Sequence, residues 1–375
     1  MPQLLHCADL HLSHDERDYG QAVLDEILSH ARDCDALLLC GDTFDSYTDM
    51  HTLQPDVVKS IEQQLPLHCR VLLLPGNHEY LYGPPGTAPA KTSPFSGLDW
   101  GRIELLDRMP FAYAEIGTGS SRGDIVAIPH SEQYSQYSAW DIPNRCGAWR
   151  IVMAHAAVAG LHYLGPDEEE DGGVLDPDIF RHCQADYAAM GHIHRAASAT
   201  IAGTHISFPG SARVWRKHES GARQVLRLTV SAGGVQPQTV QLRSAGQFIE
   251  TPVAVNPDGS CRLPPDVNYS PNDWIHCILT GICENDDSLQ NGIRSLKAAI
   301  TARKCTINRD EVTIIQGIRN NAFAQRFEQL WQKRAATAAD REDIATGFVH
   351  SERETLYRAR LIGLREIYRL LQEQA

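Results

Sequence analysis

Five of the six short apolar runs in the first half of this chain stop at a residue able to bind a metal, and few folds can use such a pattern. Leu4–Cys7 leads to Asp9 and His11, Ala36–Cys40 to Gly41-Asp42, and Val71–Leu74 to Gly76-Asn77-His78-Glu79. Ile151–Met153 leads to His155, and Tyr187–Met190 to Gly191-His192-Ile193-His194. The sixth run is Ile125–Ile128. Short apolar runs bounded by turn residues suit strands buried on both faces. Between the first two, Val23, Leu24, Ile27 and Leu28 recur at helical spacing across Tyr19–Ala31, and Val57–Leu65 is similar. Strand and helix alternate, which predicts an α/β sandwich. Sites in open α/β sheets form at the carboxyl ends of strands, so five turns scattered between residues 9 and 194 can converge.

Beyond about Thr200 the pattern changes to short alternating strands, Gln224–Val230 and Gln238–Leu242, with Gly233-Gly234 as a hairpin turn. A domain boundary is expected near Arg243–Gln247, closing a first domain over 1–243. Trp274–Gly281 then reads as a strand, Leu289–Thr301 as a helix and Glu311–Gly317 as a strand, a small α+β unit over 247–318. Residues 322–375 read as a helical tail. Its apolar stripe is Leu356, Leu361, Leu364, Ile367, Tyr368 and Leu371, while Arg353, Arg358, Arg360, Arg365 and Arg369 fall largely off it. Gly83–Pro94, rich in Pro and Gly, reads as a loop.

Two Asp, one Asn and four His (Asp9, Asp42, Asn77, His11, His155, His192 and His194) offer oxygen and nitrogen without thiolate. That set suits Mn, Fe, Zn or Mg better than a structural zinc site. Seven ligands exceed the needs of one ion and suit two, bridged by a carboxylate such as Asp42 at about 3.5–4 Å. Such a pair acidifies water and neutralises phosphate oxygens during an in-line displacement. His78, beside Asn77, is left to protonate the leaving oxygen. Singly, an Asp or Asn after a strand is an ordinary turn residue. Five such turns, each on its own strand end, argue for a site. His14, His51, His130 and His162 fall outside the pattern and are read as non-ligands.

In this order, D-x-H, GD, GNHE, H and GHxH resemble the calcineurin-like metallophosphoesterase superfamily over roughly residues 3–215. The resemblance implies a four-layer α/β/β/α sandwich, with Asp9, His11 and His194 on one ion and Asn77, His155 and His192 on the other. Asp42 would bridge and His78 would act on the leaving group. His155 follows Ala154 where many members have Gly, a small change. Within the superfamily, the words LLHCADLHL, GDTFD and MAHAAVAG, the segment from Asp186 to Arg195, Phe208-Pro209-Gly210-Ser211 and Glu219-Ser220-Gly221 are similar to DNA repair exonucleases of the SbcD type. That similarity implies manganese, 3′-to-5′ exonuclease action on DNA with endonuclease action left open, and a homodimer. It also implies a capping domain in 247–318 and helices in 322–375 that dock on an SMC-like ATPase of the SbcC type. An Arg-rich amphipathic helix also packs commonly on its own domain. Arg195, Arg213, Arg216 and Lys217 are candidates for contacts with DNA phosphates.

Composition supplies the counter-argument. Net charge is −13, whereas nucleic-acid proteins are more often basic. Residues 243–375 carry 17 of the 34 basic and 17 of the 47 acidic residues, which leaves 17 against 30 in residues 1–242. Divalent cations weaken that objection, because bound ions are the largest local charges in a site. The acidic balance still favours the runner-up, a phosphodiesterase or phosphatase acting on a nucleotide, a phosphoprotein or another small phosphoester. A third reading, a scaffold that binds and cuts little, is disfavoured by the intact ligand set. Ten cysteines without a C-x-x-C pair, several of them inside apolar runs, read as reduced buried thiols. No apolar stretch approaches the roughly 20 residues that span a bilayer, and the N-terminus lacks the marks of a signal peptide, so a cytoplasmic protein is expected.

Overall fold

In the central strands, successive side chains face opposite cores, and this alternation builds the first of two units. The computed structural model describes residues 1–80, 93–130, 134–161, 173–201, 203–231, 234–314, 320–336, 340–343 and 348–373. Most of the Gly83–Pro94 loop, His162 and Gly233 lie outside the described residues. The chain divides into Met1–Gln247 and Phe248–Ala375.

The first unit begins with β1 (Gln3–Cys7), α1 (Arg17–Ala31), β2 (Ala36–Cys40), α2 (Tyr47–Gln64), β3 (Arg70–Leu74), β4 (Glu104–Leu105), β5 (Ala112–Ile116) and β6 (Gly123–Ile128). It continues with β7 (Trp149–His155), the short strands β8 (Ala157–Val158) and β9 (Val174–Leu175), α3 (Asp178–His182) and β10 (Tyr187–Gly191). It ends with β11 (Ala197–Ile201), β12 (Thr204–Phe208), β13 (Gln224–Ser231) and β14 (Gly234–Gln241). One sheet runs β14-β13-β1-β2-β3-β4, the other β11-β12-β10-β7-β6-β5. Strands β1, β2 and β3 are parallel, as are β6, β7, β10 and β12.

Leu5, Leu37, Leu39 and Leu73 face the first helical layer, meeting Val23, Leu24 and Ile27 of α1 and Met50 and Val57 of α2. Their neighbours Leu4, Leu38 and Leu72 point the other way, onto Ile125, Met153 and Ala189 of the second sheet. Val126, Val152 and Ala188 continue to the far side, against Ile179 and Phe180 of α3. Three cores thus separate four layers, the α/β/β/α sandwich. The helix read from Val57 starts ten residues earlier, because Ser46 caps it by accepting the Asp49 N–H at 3.0 Å. Pro55 inside the helix hides that first part from a periodicity reading.

The second unit contains β15 (Phe248–Val255), β16 (Trp274–Cys283), α4 (Asp286–Ala299), β17 (Lys304–Ile314), α5 (Ala322–Ala335), the hairpin β18 (Asp340–Asp343) and β19 (Phe348–Ser351), and α6 (Glu352–Glu373). Strands β15, β16 and β17 form an all-parallel sheet. Leu289, Ile293 and Leu296 of α4 pack on Val253, Ile275, Cys277 and Leu279. Strand β15 and the β18–β19 hairpin were not expected from the sequence, and β17 begins seven residues before Glu311. Arg360 of α6 is buried, contrary to the solvent-facing place the sequence suggests. Its guanidinium meets Glu328 at 2.9 Å and the Val255 carbonyl at 2.7 Å, and Leu364 packs beside Ile282 and Ala324. All ten cysteines are free. Among the described residues no helix is long and apolar enough to cross a membrane.

Candidate metal centre

The turns after β1, β2 and β10 take a backbone form that most side chains avoid. Asp9 (φ 53°), His11 (45°), Asp42 (48°) and His192 (90°) all lie in the left-handed region. Asp, Asn and His enter it most readily of the non-glycine residues, at a cost of roughly 1–2 kcal/mol each. Three sets of hydrogen bonds offset that cost. The backbone N–H groups of Asp9 and His11 donate to the Gly41 and Asp42 carbonyls at 3.1 and 2.9 Å. The buried Glu79 carboxylate accepts from the N–H groups of Asp42, Phe44 and Gly76 at 3.1, 3.0 and 2.7 Å. The Arg213 guanidinium donates to the Leu10 and His11 carbonyls at 2.8 and 2.9 Å and pairs with Glu16 at 2.6 Å. Arg213 is therefore a buried brace, which removes it from the candidate contacts with DNA phosphates. Two motif glycines are required by space. A Cβ on Gly41 would sit 2.2 Å from His155 Nδ1, and one on Gly76 would sit 2.2 Å from Asp42 Oδ1.

The structure brings all seven candidate ligands together, with His78 beside them. Asp9, His11 and His194 each offer an atom within 4.8 Å of the others, and so do Asp9, Asp42 and His155. His155 Nε2 lies 2.9 Å from Asn77 Oδ1 and 3.1 Å from Asp42 Oδ2, and His192 Nδ1 lies 3.3 Å from Asn77 Oδ1. The His78 backbone N–H donates to Asp42 Oδ1 at 2.9 Å, and its ring Nδ1 meets the Asp45 carbonyl at 2.7 Å. The main-chain N–H of His192 donates to the Asp9 carboxylate at 2.9 Å. His130 Nδ1 lies 3.4 Å from the His155 carbonyl, and the backbone N–H of His14 donates to Asp49 at 2.8 Å.

The donor chemistry fits divalent cations. His155 Nδ1 faces the Cys40 carbonyl at 2.9 Å and His194 Nδ1 faces Glu219 at 2.7 Å, so in both rings Nδ1 holds the proton and Nε2 presents a lone pair to the site. His11 Nε2 and His194 Nε2 then confront each other at 3.1 Å, an arrangement that needs a cation or a proton between them. Electrostatics agree. Burial and the charge of His194 hold the His11 ring well below its ordinary pKa, and burial with His155 takes His192 down to about 3. Burial opposes ionisation of Asp42, but the His155 ring outweighs it and keeps that carboxyl well below its usual range. Burial also lowers His155, yet the Asp42 charge and hydrogen bond raise it to about 9, so with no ion in the site Nε2 carries a proton toward Asp42, which a bound cation would displace to free the lone pair. Burial raises the Asp9 carboxyl to about 6 against the pull of His155 and His194.

Sequence reasoning missed three supporting residues. Glu219 orients His194 while accepting from the Trp215 N–H at 2.8 Å and the Ser211 hydroxyl at 3.2 Å. Asp45 sits 3.4 Å from His11 Nδ1, and Trp215 stacks on the His11 ring. These contacts are tertiary and leave no spacing signal. Only the GDTFD and ESG words hinted at two of them.

A family model described as calcineurin-like phosphoesterase matches residues 2–196. No curated protein sequence matches the chain. Among solved structures, the chain is similar to the purple acid phosphatase PPD1 from yellow lupin (Lupinus luteus) seeds, at 14% identity and a TM-score of 0.44. That match covers 66% of this chain and 52% of the lupin protein, so the chain spans about half of its length. It is also similar to a single mutant of Vps29 from Entamoeba histolytica, at 14% identity and TM-score 0.30, covering 64% of this chain and 98% of that one. A third similar structure is GAP50, the anchor in the inner membrane complex of Plasmodium, at 10% identity and TM-score 0.37, covering 65% and 85%.

Proposed function

This chain belongs to the calcineurin-like phosphoesterase family, and we propose that it is a metal-dependent phosphoester hydrolase and, more narrowly, a two-metal DNA nuclease. The observation that carries the reading is the convergence of donor atoms from five strand ends on one buried cluster. In this reading Asp9, His11 and His194 would hold one ion, Asn77, His155 and His192 would hold the other, and Asp42 would serve both. Two divalent ions, with manganese proposed, supply Lewis acidity toward phosphoryl oxygens and water.

The chain's own residues do the rest. Glu219 and the Cys40 carbonyl fix the tautomers of His194 and His155. Asp42 also fixes the main chain of His78. Since Nδ1 of His78 is turned to the Asp45 carbonyl, Nε2 is the atom that gives a proton to the leaving oxygen. The choice of DNA draws on the sequence words shared with SbcD-type nucleases and on the α/β unit and helices that follow the catalytic unit. We assign residues 247–318 as a cap and 322–375 as the docking segment for an SMC-like ATPase of the SbcC type, in a homodimer acting in the cytoplasm. Arg195, next to His194 in the sequence, and Lys217, both exposed, are the proposed phosphate contacts.

The second reading, a phosphodiesterase or phosphatase for a nucleotide or other small phosphoester, is favoured by the 17-to-30 charge balance of residues 1–242 and by the burial of Arg213. The deciding experiment incubates the protein and Mn²⁺ with end-labelled duplex and hairpin DNA, beside a small phosphodiester and an Asp42→Ala control. Metal-dependent shortening of DNA that Asp42→Ala abolishes supports the nuclease. Small-ester cleavage with DNA left intact, even with an ATPase partner added, moves the assignment to the second reading. His78→Ala is expected to keep two bound ions by calorimetry and lose turnover on the order of 10²–10⁴-fold.

A further inference from the structure

We propose that Trp215 is the positioning residue of the leaving-group side of this site, the wall against which the His78 ring is set for proton delivery. The inference rests on the reading of His78 as the proton donor. Three site histidines touch this one indole. The His11 ring is stacked on it, with centroids 3.9 Å apart and planes 5° from parallel. His78 meets it edge-on at 5.2 Å and 83°, and His194 does so at 5.1 Å and 70°. Edge-to-face contact is directional, so a rigid ring here restricts the rotation of His78.

The indole is itself fixed at several points. Its main-chain N–H donates to Glu219 at 2.8 Å, on the carboxylate that also orients His194. Its ring N–H engages the Asp45 carboxylate, and the carbonyl of that same Asp45 meets His78 Nδ1 at 2.7 Å. Trp215 and His78 are thus referenced to one residue through different atoms. Stacking a nucleobase is the other task a tryptophan at such a rim could perform. The His11 ring and the Arg216 guanidinium, each 3.9 Å from the ring, already cover the indole, which decides against it.

The step being positioned is a hydrolysis. Water adds to phosphorus, and the bond from phosphorus to the leaving oxygen breaks. The electron pair stays on that oxygen, which takes the proton from His78 Nε2. The proton lost by the water restores His78. A leaving group that departs well as an anion needs this proton little, and an alcohol needs it much.

The test therefore uses two thymidine 5′-phosphodiesters, one releasing p-nitrophenolate and one releasing a nucleoside 3′-hydroxyl. The quantity read is the ratio of the second rate to the first, which cancels effects common to both. Trp215→Leu keeps apolar bulk and Trp215→Phe keeps a ring without the N–H. His78→Ala serves as reference, with bound Mn²⁺ counted by calorimetry. His78→Ala is expected to lower the ratio about 100-fold, Trp215→Leu about tenfold and Trp215→Phe about threefold, with two ions bound in each. A ratio for Trp215→Leu equal to wild type, whatever happens to the separate rates or the ion count, overturns the inference and leaves Trp215 a structural backing for His11. If the Leu variant does not fold, an unchanged ratio in Trp215→Phe is the overturning result. A ratio unmoved by His78→Ala sinks the proton-donor reading and this inference together. A ratio lowered by His78→Ala alone sinks only the inference.

Discussion

Glycine and histidine carry the sharpest residue-scale consequences. Adding one methyl group at Gly76 places it 2.2 Å from a carboxylate oxygen of Asp42, so Gly76→Ala is expected to displace that side chain. Calorimetry should then show loss of at least one Mn²⁺ although the substitution removes no ligand. Glu219→Gln keeps the shape around His194 but frees its tautomer, and a metal affinity lowered about 10–100-fold is expected. His6 gives a pH dependence away from the ligands. Burial takes its ring down to about 4 against the Met190 carbonyl, which raises it, from an ordinary value of 6.5. The unfolded chain therefore binds more protons between those values. Stability from His6 is complete above pH 6.5 and is lost as pH falls through the folded value, about 3 kcal/mol in all. Denaturant midpoints of His6→Gln should show a flatter slope over that range than wild type. The sequence disclosed the ligands because each follows a buried strand, where a polar residue is out of place. It hid Trp215 and showed Glu219 only inside a shared word, because their roles exist only once distant turns meet. It misled on Arg213, since nothing in a sequence separates a solvated arginine from one that braces carbonyls.

At the scale of elements, buried arginines decide more than the apolar stripes do. Periodicity located the six runs and α1 well, because their period-two and helical patterns face real cores. It failed at the hairpin β18–β19 and at β15, where Pro252 and Glu250 interrupt the apolar pattern of an otherwise half-buried strand. The tail shows the same limit. Its stripe is legible, yet what ties α6 to the second unit is Arg360, which reaches Glu328 and the carbonyls of Val255 and Thr280. Removing one partner of a buried ion pair typically costs about 3–5 kcal/mol, far more than one exposed stripe residue. Arg360→Ala should therefore lower the unfolding midpoint of the second unit, whereas Ile362→Ala, on an exposed side chain of the same helix, should leave it nearly unchanged. Equal effects would show that α6 is held by its apolar side chains instead.

Across the whole molecule, every candidate ligand lies in the first unit, and the two sheets share them. The turns after β1, β2 and β3 give Asp9, His11, Asp42 and Asn77, while β7 and the turn after β10 give His155, His192 and His194. A fragment of residues 1–247 is accordingly expected to bind two Mn²⁺ and hydrolyse a small phosphodiester, with calorimetry and a colorimetric assay as checks. Ions held by residues from both sheets would act as rivets through the middle of the sandwich. A ligand present at 100 times its dissociation constant adds about 2.7 kcal/mol to the folded state, so chelation should lower thermal stability and open the chain to proteases as well as stop turnover. In a cell, then, scarcity of the metal would register first as scarcity of the protein, and the protein's abundance would become a gauge of the ion supply.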